Sequence, residues 1–122
     1  MNISYIYTAA SVIVLILLSG FADSQGFIYA SRMWDQGKLI WSALGKSALG
    51  FGVGIITFWL AIRYMREVGI VTAEIQTTLW FATAIIGVAL VSGHFLQWKA
   101  IDQLVAVGVI VGIGWLLVRT SV

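Results

Sequence analysis

The chain has 122 residues, 61% of them hydrophobic and 10% charged, with no cysteine and a formal net charge of +2. Soluble domains carry about 25% charged residues, so this chain is not composed to face water, and so small a net charge does not point to nucleic acid. Without cysteine there are no disulfides, thiolate metal sites or cysteine nucleophiles. A membrane helix takes about 20 residues, which predicts one all-α transmembrane domain over residues 1–122, a four-helix bundle with short connections. With no proline, any helix break must come from the 13 glycines.

The first predicted helix covers residues 3–21, an apolar run without a charge, with Tyr5 and Tyr7 placed for a headgroup level. Small residues at Gly20 and Ala22 resemble a cleavage site. No Lys or Arg precedes the run as a secretory signal requires, so the expectation is a retained helix. Residues 23–38, DSQGFIYASRMWDQGK, lean polar. Phe27, Ala30 and Trp34 fall on one side, which predicts a short interfacial helix over about 26–36. The functional alternative is a lid with Trp34 and Asp35 at its tip.

The second predicted helix covers residues 39–65. Ser42, Lys46, Gly50 and Gly54 recur at every fourth position, and Gly50 with Gly54 forms a GxxxG pair that invites close approach of another helix. A lysine within a membrane helix costs about 2.5–3.5 kcal/mol. Lys46 is therefore a candidate substrate-binding charge facing protein or water; the alternative is that its stem snorkels to the interface. Arg63, Arg66 and Glu67 close the helix, and Gly69 permits a tight turn.

A third helix is predicted over residues 72–98. Glu74, near its start, is either a charge favoured by the helix dipole or a substrate carboxylate. His94 lies four residues before Trp98, and Lys46 five after Trp41. If both tryptophans mark one surface, the two side chains lie about 6–8 Å below it. A lone histidine is more often a hydrogen-bonded interior residue than a ligand, and bis-histidine haem would need a second subunit, so no cofactor and no metal are expected. The fourth predicted helix, residues 101–118, carries a second GxxxG pair at Gly108 and Gly112. With Lys46 set aside, Arg32, Lys38 and Lys99 face one side and Arg63, Arg66 and Arg119 the other, so the positive-inside rule selects no orientation.

The second half, from Ala61 to Thr120, resembles the closing helix pair of drug/metabolite transporters. Gly93-His94 stands where that family commonly has Gly-Glu, Gln103 at its usual glutamine, and Gly108, Gly112 and Gly114 in its glycine-rich last helix. In size the chain is similar to the small multidrug resistance branch, or to a stand-alone half of the larger two-repeat transporters. The small branch depends on a glutamate inside its first helix, whereas residues 3–21 hold no acid. The resemblance implies a secondary transporter, and four short helices, too few to enclose a substrate path alone, point to a dimer.

The leading expectation is a homodimeric transporter of a small molecule or ion, multi-pass in a bacterial or archaeal inner membrane. Its path would be lined by Lys46, His94, Glu74 and Trp34, and Gly50, Gly54, Gly108 and Gly112 would pack helices or protomers. A lysine at depth suits an anionic or carbonyl-bearing solute. Lipid is the other expected partner. The alternatives are an accessory subunit of a larger membrane complex and a small ion channel, though no carbonyl filter or acidic ring is present. No catalytic residue is assigned, because paired carboxylates, a nucleophile with a base and metal-ligand spacing are all missing.

Overall fold

The computed structural model describes residues 3–120. Four helices dominate it: α1 (Ile3–Ala30), α2 (Trp41–Glu67), α3 (Ala73–Ser92) and α4 (Ala100–Thr120). Each is long and apolar enough to cross a membrane, with mean hydropathy between 1.5 and 2.1. Apart from one small hairpin, the described residues form an all-α structure.

α1 runs nine residues past the predicted end, through the segment read as interfacial. The serines of this stretch are compatible with helix because their hydroxyls bond back to carbonyls one turn earlier. The Ser24 hydroxyl donates to the Phe21 carbonyl at 2.6 Å, and Ser31 to Ile28 at 2.6 Å. A two-stranded antiparallel hairpin follows, β1 (Trp34–Asp35) paired with β2 (Lys38–Leu39). Its two turn residues, Gln36 and Gly37, both have positive φ, at 50° and 78°, as a two-residue hairpin of the mirror-image type needs. The separate interfacial helix expected over 26–36 is thus replaced by the last turn of α1 and this hairpin.

α2 ends in a Schellman motif. Gly69 has φ 89°, and the Ile70 amide donates to the Met65 carbonyl at 2.8 Å. The Gln76 side chain donates to the Ile70 carbonyl at 3.2 Å and so fastens the turn to α3. α3 stops at Ser92 rather than reaching Trp98, because Gly93 turns left-handed at φ 76°. A short 3₁₀ turn (Phe95–Gln97) leads to α4, and the Gln103 amide donates to the Phe95 carbonyl at 2.8 Å.

α1 is the central element, packed against α2 on one side and α3 on another, while α2 and α3 scarcely touch. Towards the amino-terminal end of α1, Val12 and Ile16 pack with Ala61 and Met65 in an apolar cluster that Phe58, Leu79 and Trp80 border. Towards its other end the buried residues are Ser19, Gly20, Asp23, Ser24 and Gly26. α4 packs chiefly along α3, and none of its residues with described exposure is buried.

Candidate functional site

Small residues make the close approach of α1 and α2. A methyl group on Gly50 would lie 2.7 Å from the Gly26 amide nitrogen and 2.8 Å from the Ala22 carbonyl oxygen. Across this contact the Ser47 hydroxyl donates to the Gly26 carbonyl, and the Ser19 hydroxyl to the Gly54 carbonyl, both at 2.7 Å and both buried. Such bonds between membrane helices are worth about 0.6 kcal/mol on average. Against α3, a methyl on Gly20 would lie 2.6 Å from the Thr83 Cβ. Small residues on α1 therefore seat both neighbours.

Asp23 lies at the meeting point of these contacts. It is 0% exposed. A methyl on Gly54 would overlap its carboxylate, so glycine there is what makes room for the acid. Gly54 is thirteen residues from either end of α2, which puts the carboxylate about 20 Å along that helix from each terminus. The Trp80 indole nitrogen of α3 is the polar group beside it. The contact falls short of hydrogen-bond geometry: neither carboxylate oxygen, nor the Trp80 nitrogen, completes a bond among the described residues. An unpartnered buried acid is costly unless a proton, a cation or a donor offsets it.

The four side chains expected to share a substrate path are not brought together. Lys46 is exposed on α2, its ammonium 5.3 Å from the centre of the Tyr29 ring. His94 is exposed in the turn after α3, outside any helix, and Trp34 is exposed on the hairpin at the same end of the bundle. Glu74 is exposed in the first turn of α3, at the opposite end. Gly50 and Gly54 sit at the α1–α2 contact, whereas Gly108 and Gly112 have no atom within 4 Å of where a side chain would begin. Among the described residues no group of three His, Asp or Glu side chains forms a metal cluster.

The face that carried Lys46 in the sequence reading is also rotated. Four-residue steps drift about 40° each around a helix of 3.6 residues per turn. The buried positions of α2 are instead Ala43, Ser47, Gly54, Ala61 and Met65, with Gly50 half-buried between them. Those steps mix fours with threes and sevens, which keeps one seam facing α1. Lys46 falls beside the seam, at the rim of a groove of about 380 Å³ between α1 and α2. Sequence reasoning missed Asp23 by ending the first helix at Phe21. The signal was present: Ser19, Gly20, Asp23 and Ser24 are spaced as neighbours on one helix face.

No protein-family model, curated protein or solved structure matches the chain.

Proposed function

We propose that the four helices insert in a membrane and that the protein is a secondary transporter of the drug/metabolite type, in which Asp23 binds a proton and a cationic solute in turn. The observation that carries this reading is the Asp23 carboxylate, fully buried between three candidate membrane spans without a hydrogen-bond partner among the described residues. Ionisable groups at such depth mark ion and substrate paths. The resemblance gains support from the length of α1: the first helix does hold an acid, an aspartate at position 23 rather than a glutamate. A cationic solute replaces the anionic one expected at Lys46, because the lysine stands at a groove rim and the acid stands inside.

The test is uptake of ethidium into proteoliposomes with an acidic lumen. Wild-type protein is expected to accumulate the dye as protons leave, and Asp23→Asn to reduce accumulation to that of protein-free vesicles. Wild-type rates in Asp23→Asn, or no gradient-driven uptake by the wild type, would refute the reading.

Three packed helices with a loosely attached fourth do not enclose a path, and α4 offers Gly108 and Gly112 as an open seam. We place the second copy of a homodimer there, in an inner membrane. Gly108→Leu and Gly112→Leu are each expected to halve the particle mass measured by light scattering in mild detergent while preserving helicity. An unchanged mass in both variants would mean that this face meets only lipid.

A further inference from the structure

The groove between α1 and α2 on the side of Lys46 takes no part in the Asp23 site: its lining includes Leu18, Phe21, Tyr29, Lys46, Leu49 and Val53 but not Asp23. We propose that it binds one anionic membrane lipid, with an acyl chain along Leu18, Phe21, Leu49 and Val53 and the acidic headgroup against Lys46. The inference rests on the membrane placement above and is independent of transport.

Three observations carry it. The first is polarity along the groove. From Leu18 to Tyr29 it follows α1 for about 16 Å, close to one leaflet of a hydrocarbon core of ~30 Å. Lys46 and Tyr29 stand at the end nearest the hairpin, and Leu18 and Val53 lie deeper. An amphiphile standing in one leaflet has that same order of groups.

The second is the reach of Lys46. Helical side chains lean towards their own amino terminus, which for α2 is the hairpin end. The ammonium accordingly lies over the Tyr29 ring, one residue from the end of α1. It is thus carried towards the headgroup level while its stem stays on the groove wall.

The third is charge. Among the described residues, Lys46 is the one charged residue lining the groove. Among the described residues its partner is an aromatic ring, and no carboxylate pairs with it. Its positive charge is left for an acidic headgroup, and a zwitterionic one would bring a repelled ammonium as well.

The probe is dioleoyl phosphatidylglycerol against dioleoyl phosphatidylcholine, titrated into delipidated protein in detergent and read by native mass spectrometry. Wild-type protein is expected to hold a single phosphatidylglycerol about fivefold more tightly, the attraction of one lysine near an anionic surface. Lys46→Gln should erase the preference, while Lys38→Gln, on the exposed hairpin, should keep it. Val53→Trp should lose the bound lipid with the lysine still in place, because the indole fills the groove. Equal retention of the two lipids by the wild type, or a preference that survives Lys46→Gln, overturns the proposal. So does displacement of the lipid by glycerol phosphate, which would make the free anion the ligand. Failure of the membrane placement would show separately, as release of the chain from membranes by an alkaline wash.

Discussion

Replacing Gly50 with valine is expected to abolish the folded α1–α2 pair. The first added carbon meets the Gly26 amide nitrogen at 2.7 Å and the Ala22 carbonyl oxygen at 2.8 Å. Both are backbone atoms, so no rotamer change relieves the overlap and the helices must separate. Overpacking costs about 1–3 kcal/mol or more. Separation also breaks the Ser47–Gly26 and Ser19–Gly54 hydrogen bonds, each worth up to about 1.7 kcal/mol. Together these approach the lower end of a typical domain's stability of about 5–15 kcal/mol. Gly52, two residues away, has open space where its side chain would begin. Gly52→Ala should leave the bundle unharmed or gain up to about 1 kcal/mol from helix propensity. Thermal melts by circular dichroism in detergent compare the two. A Gly50→Val protein that melts with the wild type would mean that α1 and α2 do not approach this closely.

The second large effect has opposite signs in two measurements. Asp23→Asn keeps the shape of the side chain, removes the charge and leaves an amide carbonyl that can accept from the Trp80 indole nitrogen beside it. A buried polar group left unsatisfied costs about 1–3 kcal/mol, more when charged. The variant is therefore expected to be as stable as the wild type or more stable by up to about 3 kcal/mol, even though it loses ethidium uptake. A purely structural acid behaves the other way, losing stability when replaced. A marked drop in melting temperature for Asp23→Asn would assign the carboxylate to holding the fold. Asp23→Glu is a harsher change, because the longer side chain meets the wall at Gly54.

The four apolar runs were legible because a helix of about 20 apolar residues has few other readings. Less legible was the point where α1 stops. Asp23, Ser24 and Gln25 read as the start of a polar segment at the membrane interface, since polarity is the usual mark of a membrane boundary. Inside a bundle the same residues are packing material: hydroxyls return to carbonyls, and glycine admits a neighbouring backbone. The Ser19–Gly26 stretch therefore organises the molecule at least as much as α2 does. α3 was overextended for a related reason, because Gly93 reads as a small helical residue until its left-handed backbone is seen. Four-residue spacing alone does not fix the rotation of α2, which is set by the burial of Ala43 and the Ser47–Gly26 hydrogen bond.

The helices are unequal in length, and the thickness of a bilayer around them would act on that inequality. With 28 residues α1 is about 42 Å long, and with 20 residues α3 is about 30 Å. A bilayer that matches α3 is therefore too thin for an upright α1, which must tilt or lift its hairpin clear of the surface. The serine bonds and the Gly50 contact fix α2 to α1, so the two lean as one body. α3 meets that body through α1 and scarcely through α2. If the helices span a membrane as proposed, its thinning or thickening would act on α3 where it packs on α1, at Thr83 against Gly20 and at Trp80 beside Asp23. Lipid chain length would then be a mechanical input to the buried Asp23 carboxylate.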